Sequence, residues 1–270
     1  MLRSRQMSPR ASLPFPTLSH VAVRVSAPCP PEFRRALEDA EVRLPEDTLR
    51  ALESYTQLLL GAGELLNLTA FREPESIWSK LLLDALLLTP LLGRFGAGCR
   101  GIDVGCGAGI PGIPLALALP ELHVTLLDGT SKKIAFVQHV LGELGLRNAR
   151  ALVGRAEVLA AAKPVGSHRE AYDVVVARAV APLRTLLELT VPFAKAPTEG
   201  AGTPGGLILL PKGEHASDEL AQAGTAMQQL GVELAAVKVT ATGQVLLFEK
   251  RVHTPERFPR RDGTPKRNPL

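Results

Sequence analysis

Gly101-Ile102-Asp103-Val104-Gly105-Cys106-Gly107-Ala108-Gly109-Ile110-Pro111-Gly112 is the stretch that decides the fold of this 270-residue chain. A short apolar run from Arg100 to Val104 reads as a strand. It ends in clustered glycines, and Pro111 suits the first turn of the helix that follows. Glycines let the backbone turn sharply and let a ligand approach with no Cβ in the way. In a doubly wound sheet, ligands bind at such strand ends. Gly107 to Gly112 literally matches GxGxxG, the dinucleotide fingerprint. Two details oppose that reading. The fingerprint should begin directly after the strand, where Gly105 already stands, and the strand carries an acid, Asp103, that would repel a pyrophosphate.

Downstream, short apolar runs alternate with helical stretches. Strands are predicted at Leu122–Asp128, Ala149–Val153, Asp173–Ala177 and Leu207–Leu210, with helices over 111–119, 131–144, 182–194 and 215–230 and a short one after Val153. Repeated βα units imply a parallel sheet with right-handed crossovers and helices on both faces. The last two runs, 232–240 and 244–249, are joined by Thr242-Gly243, a hairpin signal. Residues 196–206 read as a flexible surface loop. The expected fold is α/β: a Rossmann-like doubly wound sheet with one antiparallel edge strand, the pattern of class I S-adenosylmethionine-dependent methyltransferases. S-adenosyl-L-methionine has no phosphate, and its amino and sulfonium groups are positive, so an acid such as Asp103 favours it. Asp128 ends the second strand, where a carboxylate can accept both ribose hydroxyls; dinucleotide enzymes share this feature, so it does not discriminate.

Upstream, residues 33–43 read as a helix. A second begins near Pro45-Glu46-Asp47, carries a stripe of Leu49, Leu52, Tyr55, Leu58 and Leu59, and is expected to end at Gly61 and Gly63. A third runs from Pro74 to about Leu88. The expected organisation is a disordered basic arm over 1–32, a helical cap over 33–96, the sheet domain over 97–250 and a basic tail over 251–270. The net charge of +4 divides unevenly: +5 over 1–35 and +5 over 250–270 leave −6 for 36–249. Basic ends on an acidic body suit a polyanionic partner, although charge alone favours solvated tails. The three cysteines, Cys29, Cys99 and Cys106, form no CxxC pair, which fits a reduced, cytoplasmic setting without a metal site. No apolar run reaches the ~18 residues of a membrane span.

Several ordered segments resemble one family, the bacterial small-subunit rRNA methyltransferase G family, also called GidB. Leu66-Asn67-Leu68-Thr69 looks like its NLT segment and Leu83-Asp84 like its LDS segment. Asp103 to Pro114 is similar to its glycine loop, and Leu126-Leu127-Asp128 with Lys132, Lys133 and Phe136 to the stretch beyond. Arg155-Ala156-Glu157, Arg178-Ala179 and Pro211-Lys212-Gly213 resemble three further motifs, and Phe258 to Leu270 resembles the family's ending. The resemblance spans about Leu44 to Leu270.

The resemblance implies transfer of a methyl group from S-adenosyl-L-methionine to N7 of a guanine in 16S rRNA, with naked rRNA or the small subunit as partner, no metal, no membrane and a monomeric chain. Gly105, Gly107 and Ile110 would line the methionine and adenosine part of the cofactor site. Asp128 would take the ribose, and Ala156 and Glu157 the adenine. Arg178 would lie beside the transferred methyl as the catalytic arginine, binding both cofactor and substrate. Lys132, Lys133, Arg155 and Lys212 are candidate phosphate contacts, and Asn67 a candidate for the base edge, whereas Trp78 reads as cap core. Departures fall elsewhere: Leu82 where members often have histidine, Ala85 for serine, Gly129 for serine and Gln244 near a usual arginine.

Overall fold

The computed structural model describes residues 26–93, 95–163, 168–198 and 205–270. The proposed arm lies outside them for residues 1–25; at Ala27 the chain is already buried, and the Cys29 amide donates to Glu53. The cap comprises α1 (Pro31–Asp39), α2 (Glu46–Leu66), α3 (Pro74–Ile77), a π turn (Trp78–Leu82), α4 (Leu83–Leu86) and α5 (Thr89–Leu92). Gly61 and Gly63 do not end α2, which runs on to Leu66 and stops at Asn67 in the left-handed region (φ 48°). Burial of Leu59 and Ala62 overrides the modest helix cost of glycine there. The expected third helix is broken by the π turn, a form that marks functional sites more often than chance. Trp78 is fully buried, edge-on to Phe33 at 4.7 Å, and so belongs to the cap core.

The sheet follows as β1 (Arg100–Val104), α6 (Gly112–Ala118), β2 (His123–Asp128), α7 (Ser131–Glu143), β3 (Ala149–Val153), α8 (Ala156–Leu159), β4 (Val174–Val176), α9 (Leu183–Thr190), β5 (Leu207–Lys212), α10 (Ala216–Ala221), α11 (Gly224–Leu230), β6 (Val232–Thr240) and β7 (Gly243–Lys250). Strand order is β3-β2-β1-β4-β5-β7-β6, with β1 to β5 parallel and β7 antiparallel to both β5 and β6. The α/β class, the class I methyltransferase sheet and the helical cap are therefore as the sequence led one to expect. The order reverses between β1 and β4, and ligands of open α/β sheets bind at that crevice.

Alternation along the strands separates two cores. Val124, Leu126, Val174, Val176 and Leu209 face the cap, α6 and α7; Ile102, Val104, Leu127, Val175 and Ile208 face α8 to α11. Of the expected loop over 196–206, residues 199–204 lie outside the described residues, and Gly205 and Gly206 are buried against Lys250 and Tyr172.

The C-terminal tail is docked, not solvated as its charge suggested. It crosses the α9 face and ends in α12 (Thr264–Arg267). Arg169 donates to the carbonyls of Thr254, Pro255 and Phe258, and Phe258 is buried. Arg260 forks onto the fully buried Glu188 at 2.6 to 3.1 Å. The excess positive charge of this segment is thus partly neutralised by acids of the body. No helix among the described residues is long and apolar enough to cross a membrane.

Candidate active site

The glycine loop joins β1 to α6 and is fixed from three sides. Gly105 and Cys106 amides donate to the Leu127 carbonyl at the end of β2 (2.7 and 2.9 Å). The Gly112 amide donates to Asp103 Oδ2 (2.8 Å). From the cap, the buried Tyr55 hydroxyl donates to the Ala108 carbonyl (2.9 Å). Gly105, Gly107 and Gly109 all have positive φ (75°, 57° and 98°), a region side chains disfavour. A Cβ on Gly105 would lie 2.7 Å from Val180, whereas one on Gly107 would point into open space. Gly107 therefore leaves room for a ligand against bare backbone.

Two carboxylates underlie the loop. Asp103 is fully buried, and its Oδ1 has no hydrogen-bond partner. Burial pushes its pKa up to about 7; Asp128 adds to the rise, while the Gly112 amide and Arg178 oppose it. Asp128, nearly buried at the end of β2, accepts from the Gly107 amide (3.1 Å) and the Thr130 amide (2.8 Å), with Lys133 Nζ 3.9 Å away. Each carboxylate oxygen accepts more than one hydrogen bond, so capacity remains for a diol. A buried, unpaired acid oxygen beside an open glycine cradle, with a second acid one strand away, fits a ligand carrying positive charge and vicinal hydroxyls.

One cleft gathers Gly105 and Asp128 with Ala156 and Glu157 from the start of α8, together with Val180, Thr185 and Lys266. Four of the expected cofactor residues thus meet, although they are spread over three strand ends. Gly107, Ile110 and Arg178 lie outside this lining. Glu157 is buried, and its Oε1 accepts from Arg155 Nη2 and from the Gly263 amide of the tail (both 3.1 Å); Arg155 also binds Asp262.

Arg178 stands two residues beyond β4, before Ala179, whose φ is 55°. Its Nε donates to Asp84 Oδ2 (2.5 Å) and its Nη2 to the Lys80 carbonyl in the π turn (2.9 Å). Of the candidate phosphate contacts, Lys132 is exposed. Lys133 and Arg155 lie against acids, and Lys212 binds Glu219 and the Ala181 carbonyl. Asn67 is an exposed, left-handed helix cap.

Several structural partners had no sequence-level role. Lys250 is fully buried and donates to Glu170 (2.6 Å) and the Ala194 carbonyl (2.8 Å). Strand alternation carries a signal for it, since Lys250 shares a face with Leu246 and Phe248. Glu188 likewise stands among leucines in α9. The pairing of Asp84 with Arg178 has no local signal.

The chain is similar over nearly its whole length to known proteins. The family described as rRNA small subunit methyltransferase G, GidB, matches residues 48–248. A ribosomal RNA small subunit methyltransferase G from Sorangium cellulosum is 38% identical over 253 residues, covering 93% of this chain and 98% of that protein. One from Halalkalibacterium halodurans is 36% identical, covering 88% and 98%. Among solved structures, a protein from Corynebacterium glutamicum shares the fold (TM-score 0.50, 17% identity, 82% of this chain and 97% of that one). The match runs from the cap through the glycine loop to the last strand, and with it the chain belongs to the rRNA small subunit methyltransferase G family.

Proposed function

We propose that this protein transfers the methyl group of S-adenosyl-L-methionine to N7 of a guanine in 16S rRNA, acting in the cytoplasm as a monomer without a metal. The observation that carries the reading is the buried pair of acids, Asp103 and Asp128, at the ends of adjacent strands under an open glycine loop. Bound there, the cofactor supplies an electrophilic methyl on a sulfonium. Gly105, Gly107 and Ile110 would flank its methionine and adenosine portions, and Asp128 would accept from the ribose hydroxyls. Ala156 would meet the adenine through its amide, and Glu157 through its carboxylate.

Guanine N7 has a lone pair and no proton, so attack on the methyl needs no general base. The protein's tasks are to align the base with the methyl and to tolerate the positive charge that grows on the imidazole ring. Arg178 is assigned to the base: its planar fork suits guanine O6 or a neighbouring phosphate.

The decisive experiment maps 7-methylguanosine in 16S rRNA from cells lacking this gene. One mark should vanish and return on complementation; persistence of every mark overturns the reading. With purified protein, Arg178→Ala should lower methyl transfer by on the order of 100-fold or more while the chain stays folded by circular dichroism. Wild-type turnover would remove Arg178 from the site.

A further inference from the structure

Arg178 poses an electrostatic problem for the chemistry just described. N7 methylation makes the guanine ring cationic. A bare guanidinium held against that ring would oppose the charge as it forms, and more strongly where water is excluded. The neighbourhood of Arg178 answers this. Asp84 Oδ2 lies 2.5 Å from Nε, and the Asp84 side chain is only 10% exposed. Asp84 Oδ1 accepts from the Thr242 hydroxyl (2.8 Å), at the turn between β6 and β7. The Lys80 carbonyl, set in the π turn, takes Nη2. The 80–84 stretch of the cap thus holds this side chain at two points, and Thr242 braces Asp84 from the final hairpin, while Nη1 makes no hydrogen bond among the described residues.

We propose that Asp84 is a positioning residue for methyl transfer: it fixes the Arg178 guanidinium at the mouth of β4 and cancels its charge, so that Arg178 donates hydrogen bonds to the acceptor nucleotide without opposing the cation forming on the base. Thr242 holds the second oxygen of Asp84, and the cap and the final hairpin are thereby tied to the site. This rests on the assignment of Arg178 under the proposed function.

The test uses the full-length chain, small subunits carrying unmethylated 16S rRNA, and labelled S-adenosyl-L-methionine. Asp84→Asn keeps the size of the side chain and removes its charge. It should lower kcat by roughly tenfold or more, leave cofactor Kd within about twofold by calorimetry, and leave KM for the subunit unchanged or lower, because an uncompensated Arg178 attracts phosphate. Simple structural damage would raise KM or weaken cofactor binding instead. In an Arg178→Ala background, Asp84→Asn should cost almost nothing more. Thr242→Val should lower kcat in the same direction by a smaller factor. An unchanged kcat in Asp84→Asn, or the full loss repeated on top of Arg178→Ala, overturns the proposal. If wild-type protein itself leaves no methyl on guanine N7, the underlying function has failed and not the role of Asp84.

Discussion

The floor and the rim of the cleft carry opposite kinds of charge in opposite states. Beneath the floor, Asp103 is fully buried with one oxygen unpaired; Asp128, which lines the cleft, binds backbone amides while Lys133 stays 3.9 Å away. On the rim and behind it, cations are met by acids of the same chain: Arg155 by Glu157 and Asp262, Arg178 by Asp84, Lys212 by Glu219, Arg260 by Glu188. Negative charge on the floor is therefore held ready for a cationic ligand. Much of the positive charge near the site is spent on holding the fold in register. Substitutions on the floor should act on binding, those at Asp84 and Arg178 on turnover, and those in the other rim pairs on stability.

The largest expected effect lies in the pairing behind the rim. Glu188→Gln leaves the fork of Arg260 against a neutral amide in a fully buried position. Losing one partner of a buried pair should cost about 3 kcal/mol, near the lower bound because Arg260 keeps some contact with water. For a chain of this size that is a fall of roughly 6–10 °C in Tm, and trypsin should cut the tail at Arg257 and Arg261 sooner. A cofactor affinity reduced without a loss of Tm would break the division between rim and floor.

On the floor, Asp128→Ala removes the proposed acceptor for the ribose and the bonds to Gly107 and Thr130. Cofactor Kd measured by calorimetry should rise by about 100-fold, since two hydrogen bonds to a charged group are lost. An unchanged Kd would show that the ribose is placed wrongly.

A smaller effect, and a sharper one, comes from Asp103. Its pKa stands near 7, raised chiefly by burial, against an ordinary value of 3.8. Between those two values the folded chain keeps a proton that the unfolded chain has lost. Stability of the ligand-free protein contributed by this group therefore falls as pH rises through that window and levels off above it. A cationic ligand favours the ionised form, so its affinity should rise by roughly tenfold from pH 6 to pH 7.5, with proton release on binding. Asp103→Asn should abolish that slope; a slope that survives the substitution assigns it to another group.

These differences follow how the parts of the site are encoded. The floor was legible because its determinants are local. β1 and β3 have the bounds read from the sequence, and Asp103, Gly105 and Asp128 sit at strand ends that periodicity alone locates. Ala156 and Glu157 reached the same cleft because α8 begins where its motif stands. The rim was not legible, because each of its main pairings joins segments far apart in the chain. Asp84 meets Arg178, Arg155 meets Asp262 and Glu188 meets Arg260 across separations of 94, 107 and 72 residues. Charge counted along the sequence cannot reveal such partners. That is why the C-terminal tail read as solvated although Arg260 is anchored on Glu188. Lys212, read as a phosphate contact, is instead held by Glu219, seven residues on, and by the Ala181 carbonyl.

The smallest effect separates pairs within the rim itself. Arg155 and Asp262 approach to 3.0 Å, much as Arg260 and Glu188 do, yet both of their side chains are 53% exposed. Water and salt screen such a pair, so its contribution should stay below about 1 kcal/mol. Asp262→Asn should therefore shift Tm by no more than about 2 °C. The Gly263 amide would still donate to Glu157, and the tail should stay docked beside that residue of the cleft. A loss as large as that of Glu188→Gln would mean that distance, not burial, governs these bridges. A small shift would establish that Glu188 and not Asp262 anchors the tail.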